Sequence, residues 1–354
     1  MNVSIIGYYG DNFGDLLMLK SLLSLKKPGL AFTVLTYGDA GSLRKQKFIS
    51  DNNVGVVELN KANALTAYRN VMKSSAIIWG GGTCFMDEGG TGGIKYMALG
   101  RLFGANVIYA GIGVDNHKKL KTRLILFFAT VIAKALYIRD SASLQAVKKI
   151  NPWLRSGKIK QSVDLAYALD IDDAQGGGAL DGTDDYIIVC LRDLEGYGEQ
   201  SSTDIYRQLL DVSIKACRTL GIKKVGVLNA DAEVDAGVSL FAERELEDSG
   251  FSVFKIPGSD IDLSIDCIKK ARHVISARLH PAVVAYSVGT PFSLYNYSDK
   301  NKKFTAETHT DECLIHRGAI SRFVPQYQVG TVSKKNAQRQ LAQSTVHEIY
   351  QLLN

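Results

Sequence analysis

Cysteine is scarce. Cys84, Cys190, Cys217, Cys267 and Cys313 are odd in number and widely spaced, which argues against a disulfide framework and any C-x-x-C metal or redox pair. That usage favours a reducing compartment. Long hydrophobic runs are missing too: the longest, LILFFATVIA at residues 124–133, is too short to span a bilayer. Lysines and an arginine flank it, so a helix lying on a membrane surface is compatible, but a helix buried under a sheet is the preferred expectation. The N-terminus, MNVSIIGYYGDN, has neither the charged segment nor the longer apolar core of a secretion signal. The expected location is therefore cytoplasmic, with peripheral contact at the inner membrane face compatible. Zinc-finger spacings, RNP-like strings and basic blocks interleaved with aromatics are lacking, so nucleic acid is not an expected partner. His117, His273, His309, His316 and His347 show no ligand spacing, and no metal is expected. Gly7, Gly10 and Gly14 are too far apart for G-x-G-x-x-G, which argues against a nucleotide cofactor.

What is present is an alternation. The 354 residues, 46% of them hydrophobic, suffice for two domains, and a net charge of +6 suits an anionic small molecule or membrane surface. Short β-branched or aromatic runs at residues 3–7, 32–37, 54–59, 76–79, 106–110, 135–138 and 159–163 alternate with helix-length segments at 15–25, 62–73, 94–103, 119–133 and 143–150. This rhythm predicts an α/β fold with parallel sheets. The acidic, Gly-rich stretch DIDDAQGGGALDGTDD reads as a linker, and the rhythm then restarts with strands at 186–191, 224–228, 251–256, 273–277 and 292–295. The expected division is a Rossmann-like domain over residues 1–172, a linker over 173–185, a second Rossmann-like domain over 186–331, and a helix over 332–354 that can pack back on the first domain. The two sheets are expected to face a central cleft.

Ligands of open parallel sheets bind beyond the carboxyl ends of the strands. At the first such end, Asn12 and Asp15 fit either turn and capping roles or contact with substrate. WGGGTCF follows the run at 76–79, and the amides of Gly81 and Gly82 can cradle an anion or merely form a tight turn. IRDSAS places Arg139 and Asp140 after a strand, with Ser141 or Ser143 as helix cap; the arginine fits a carboxylate or phosphate, or else a plain ion pair. LRDLEGYG brings Arg192 to another strand end. In RHVISARLHPAVVAYSVG, Arg278 and His280 occupy a junction where Pro281 is expected to open a helix with His280 near its cap. Two cationic groups at a positive helix end call for an anion.

Taken together, NFGD at 12–15, WGGG at 79–82, IRDSAS at 138–143, VCLR at 189–192 and ARLHP at 277–281 followed by GTP resemble the polysaccharide pyruvyl transferase family. The resemblance implies transfer of pyruvate from phosphoenolpyruvate to two hydroxyls of a saccharide, as a cyclic ketal, on a fold similar to the GT-B glycosyltransferases. It implies His280 as the catalytic histidine, Arg139 and Arg278 as the pair holding the phosphoenolpyruvate anion, and Arg192 as a further donor-side arginine. Gly81 and Gly82 join the donor side, Asn12 and Asp15 the acceptor side. The first domain would mainly receive the saccharide, which can be lipid-linked. Phosphoenolpyruvate is a co-substrate, and no cofactor is implied. A nucleotide-sugar glycosyltransferase and a non-catalytic anion- or glycan-binding protein are the competing expectations.

Overall fold

Strands buried on both faces need near-continuous apolar runs, and the short β-branched segments supply them. In the computed structural model, which describes residues 1–24, 28–87, 89–115, 117–153, 155, 157–169, 185–195, 202–327 and 332–353, they form two parallel sheets. The first contains β1 (Asn2–Gly7), β2 (Ala31–Thr36), β3 (Gly55–Glu58), β4 (Ala76–Met86), β5 (Gly90–Thr91), β6 (Asn106–Val114), β7 (Ala135–Ile138) and β8 (Ile159–Gln161). Their order is β3-β2-β1-β4-β6-β7-β8, parallel throughout, with β5 folding back antiparallel on the end of β4. The second contains β9 (Tyr186–Cys190), β10 (Lys224–Asn229), β11 (Ser252–Pro257), β12 (His273–Ser276), β13 (Phe292–Tyr295) and β14 (Leu314–Ile315), in the parallel order β11-β10-β9-β12-β13-β14.

Two compact units result, one of Met1–Gly10, Asp15–Leu169 and Gln338–Asn354, the other of Asp11–Gly14 and Asp170–Ala337. Each has its own core. In the first, Ile6, Ile77, Val107 and Leu136 stack from strand to strand fully buried; in the second, Ile187, Val189, Val225 and Ile275 do the same with at most 1% exposure. Each such side chain contributes roughly 1.5–3 kcal/mol by leaving water. The C-terminal helix Val332–Gln351 joins the first unit through its last turns. There the Tyr350 hydroxyl donates to the Leu22 carbonyl at 2.8 Å, and Glu348 pairs with Lys160 at 2.5 Å. The linker expected over 173–185 lies, except for Asp185, outside the described residues.

Three local expectations need correction. The strand expected to stop at residue 79 runs on to Met86, so Gly80, Gly81 and Gly82 lie inside β4 and not in a loop after it. Gly81 and Gly82 sit at φ +92° and +77°, a left-handed backbone that glycine alone adopts without strain, and this lets the strand bend without ending. The helix expected to open at Pro281 starts two residues earlier, at Leu279, with Arg278 as its N-cap. Pro281 is still tolerated because the first four N–H groups of a helix have no intrahelical partner. The helix Leu120–Ile132 buries only one face, and its opposite face, with Leu124 and Phe128, is exposed.

Candidate active site

In the second unit the strand order reverses between β9 and β12, the switch point at which open α/β sheets bind ligands. Arg192 follows β9, and Arg278 follows β12. The Ser276 hydroxyl pins the second turn, accepting from the Arg278 N–H at 3.0 Å and donating to the Arg278 carbonyl at 2.6 Å. The guanidinium forms a two-pronged pair with Asp235: Nε donates to Oδ2 at 2.7 Å and Nη2 to Oδ1 at 2.8 Å. Nη2 also reaches Asp231 at 3.3 Å. Asp235 is fully buried and Arg278 is 9% exposed. Burial opposes the arginine's charge, but the hydrogen bonds and charge of Asp235, then the charge of Asp231, outweigh it and raise its pKa. Arg278 thus has, within the protein, carboxylates of the kind that its position calls for. Two aspartates already hold it, and no hydrogen bond among the described residues engages Nη1.

The NFGD motif meets the same cluster. Asn12 donates from Nδ2 to Asp231 Oδ2 at 2.9 Å, accepts the Gly14 N–H on Oδ1 at 3.0 Å, and forms a β-bridge with Asp231; the Phe13 N–H donates to the Ala230 carbonyl at 2.8 Å. Asn12 therefore caps its helix and ties the motif to the aspartate that faces Arg278. Gly14 lies against the imidazole of His280, so closely that a Cβ there would overlap Nδ1, Cε1 and Cγ. Two motifs far apart in sequence thus converge, one supplying the histidine and the other the glycine that makes room for it. His280 is the second residue of its helix, partly exposed, beside amides that favour an anion.

Arg192 donates from Nη1 to the Tyr297 hydroxyl at 3.0 Å and lies over the Tyr297 ring at 4.7 Å. Burial raises the pKa of that phenol, while the charges of Arg192 and then Arg278 draw it down. Cys190, at the end of β9, is pushed up to about 12 by burial and then by Asp235, so it is a neutral thiol and not a nucleophile. Asp231, Asp235 and Tyr297 were not singled out from the sequence. The signal for them is position alone, since each follows a parallel strand, but aspartates near helix starts are common as caps.

The first unit holds the remaining candidates. Gly81 and Gly82, expected on the donor side, and Asp15, expected on the acceptor side, line one cavity of about 340 Å³. Tyr8 and Trp79 line it as well. Tyr8 is 55% exposed and stacks on Tyr37 at 4.9 Å, with Trp79 edge-on at 6.2 Å. Arg139 ties β7 to β4: Nη2 donates to Thr83 Oγ1 at 2.9 Å and Nη1 to Asp164 Oδ2 at 3.3 Å, while its Asp140 neighbour is 3.9 Å away. Asp140, and not Ser141 or Ser143, caps the following helix, accepting from the Ser143 N–H at 2.8 Å and hydroxyl at 2.7 Å. Among the described residues no cluster of His, Cys, Asp or Glu can hold a metal.

These features define an α/β protein of the GT-B-like kind. UDP-GlcNAc 2-epimerase from Neisseria meningitidis, bound to UDP-GlcNAc, superposes with a TM-score of 0.64 at 10% identity over 99% of this chain and 100% of that one. The enzyme from Methanocaldococcus jannaschii gives 0.64 at 9% identity over 99% of each, and HepE from Anabaena, in complex with UDP and glucose, gives 0.52 at 11% over 98% and 95%. No curated protein matches the chain in sequence. The family model for polysaccharide pyruvyl transferase matches residues 12–299, and the chain belongs to that family.

Proposed function

We propose that this protein transfers pyruvate from phosphoenolpyruvate to two hydroxyls of a saccharide, forming a cyclic ketal. The observation that carries the reading is the convergence of Arg278, His280 and Arg192 at the switch point, with the NFGD motif shaped around the histidine. Phosphoenolpyruvate brings a carboxylate and a phosphate, and planar arginine forks match both better than lysine. Arg278, oriented by Asp235, presents Nη1; Arg192, steadied on Tyr297, presents a second fork. His280 donates a proton to the methylene carbon, so that C3 becomes a methyl group and C2 becomes electrophilic. One saccharide hydroxyl adds to C2 and loses its proton. Inorganic phosphate then leaves, the second hydroxyl closes the ring, and the two hydroxyl protons balance those taken up by the methyl group and by phosphate. General acid catalysis of this kind contributes typically 10²–10⁴-fold.

The first-unit cavity suits the saccharide: the half-exposed Tyr8 offers a ring for a sugar to pack against, and Asp15 accepts hydroxyl hydrogen bonds. Arg139 retains N–H groups beyond those that Thr83 and Asp164 take, which leaves it competent to meet an anion. The test is phosphoenolpyruvate-dependent phosphate release against a panel of acceptor glycans, with the ketal located by NMR. Release of UDP from a UDP-sugar, with no phosphate from phosphoenolpyruvate, would replace the reading with nucleotide-sugar chemistry. Tight glycan binding without turnover would make the protein a lectin.

A further inference from the structure

The outward face of the helix Leu120–Ile132 is apolar along its whole length. Leu120, Leu124, Phe127, Phe128 and Val131 are 69, 57, 39, 47 and 51% exposed, whereas Thr122, Leu126, Ala129 and Thr130 face the core. At about 100° per residue the five exposed side chains fall within an arc of roughly 100°. Lys121 and Arg123, both exposed, border that arc on opposite sides. The helices Ile94–Leu102 and Ser141–Ile150 pack on this one. At the C-terminal end of the first of these come Leu102, its last residue, and Phe103, 79 and 54% exposed, and past the end of the second comes Trp153, 86% exposed. Lys158 caps the C-terminal end of the central helix, donating to the Thr130 and Val131 carbonyls at 3.1 and 2.8 Å, and it lies within electrostatic reach of Arg101 and Arg155. An apolar stripe along one helix, with exposed Leu102, Phe103 and Trp153 at the ends of the two helices that pack beside it, is more than the single surface hydrophobes of an ordinary monomer.

Charge says what covers it. Residues 94–163 contain thirteen Lys and Arg against two Asp, a net +11. Arg139 and Lys160 pair with Asp164 and Glu348, and Asp87 bonds the start of the central helix, so with these three carboxylates counted the three packed helices and their flanks still carry +8. A second copy would bring one strongly cationic face against another. Spanning is excluded for the described helices, none of which is long and apolar enough. We propose that this face docks the protein on an anionic phospholipid bilayer, with the helix lying in the interface plane, Leu124 and Phe128 among the acyl chains, and Lys121 and Arg123 extended to headgroup phosphates. Apolar burial alone gives weak adsorption, and basic residues near the surface add to it, so the two together make a specific anchor.

The experiment is cosedimentation of the full chain with vesicles of phosphatidylcholine containing about one-third phosphatidylglycerol, with pure phosphatidylcholine and roughly 1 M salt as comparisons. Binding to the anionic vesicles is expected, weakened about tenfold or more in either comparison. Leu124→Glu/Phe128→Glu and Lys121→Glu/Arg123→Glu should each lower it by about tenfold or more, with unchanged circular dichroism and thermal melting. Equal, low sedimentation of the unaltered protein with all vesicles overturns the proposal. So does a dimer in light scattering that Leu124→Glu/Phe128→Glu converts to monomer, since the face would then belong to a second copy. The readout needs no substrate, so its failure leaves the pyruvyl-transfer reading untouched.

Discussion

Gly14→Ala is the sharpest perturbation of the site, because it adds a single methyl group where the imidazole of His280 now lies. A Cβ at this position overlaps Nδ1, Cε1 and Cγ of the ring, against an ordinary carbon contact of about 3.5–4 Å. The ring must therefore move by more than about 1 Å or the helix start must shift; overpacking of this kind costs about 1–3 kcal/mol. If His280 delivers the proton, a displacement of about 1 Å lowers kcat by about 10²-fold. The control is Gly237→Ala, also in the first turn of a helix but with nothing within 4 Å of the added methyl group. It should leave activity intact and stabilise by up to about 1 kcal/mol. The assays are urea unfolding and steady-state phosphate release. A Gly14→Ala protein with unaltered stability and kcat within about twofold of the parent would refute the placement of the ring and the role built on it.

Asp235→Ala leaves the Arg278 charge buried without its two-pronged partner and should cost about 3–5 kcal/mol in urea unfolding, against a smaller loss for Asp231→Ala, whose contact with Arg278 is longer. Tyr297→Phe keeps the ring under Arg192 but removes the hydroxyl; a rise in KM for phosphoenolpyruvate with little change in kcat is expected from initial rates. Burial lowers the His273 pKa from about 6.5 to about 3, so the folded state holds this imidazole neutral while the unfolded chain protonates it. The stability it contributes is complete above about pH 6.5 and is lost as pH falls towards 3, at roughly 1.4 kcal/mol per pH unit, and His273→Gln should remove that part of the slope in urea titrations at successive pH values.

The strand–helix rhythm was legible because parallel strands buried on both faces demand apolar runs, and those runs in β1, β2, β9 and β12 stand out from their flanks. The extension of β4 was not, because glycines after an apolar run read as a turn, while here left-handed Gly81 and Gly82 carry the strand onward. His280 and Arg278 stood out by their place at a strand end. The partners of Arg278 did not, since Asp231 and Asp235 look like helix-entry residues, and only the fold brings them beside a guanidinium more than forty positions away. The same holds for Gly14, whose meaning depends on a ring at the other end of the sequence. The outward face of Leu120–Ile132 was hidden for another reason: a run of apolar residues does not say which side meets the core.

In the proposed mechanism His280 protonates the methylene carbon of phosphoenolpyruvate during pyruvyl transfer. The most direct measurement is the reaction in D₂O with an accepted glycan, with phosphate release followed alongside the mass and NMR spectrum of the product. The expected product carries one deuterium in its ketal methyl group, formed in step with phosphate, and His280→Gln gives neither at a comparable rate. A deuterium-free ketal from the unaltered protein, or a His280→Gln variant that keeps the full rate, would contradict the mechanism.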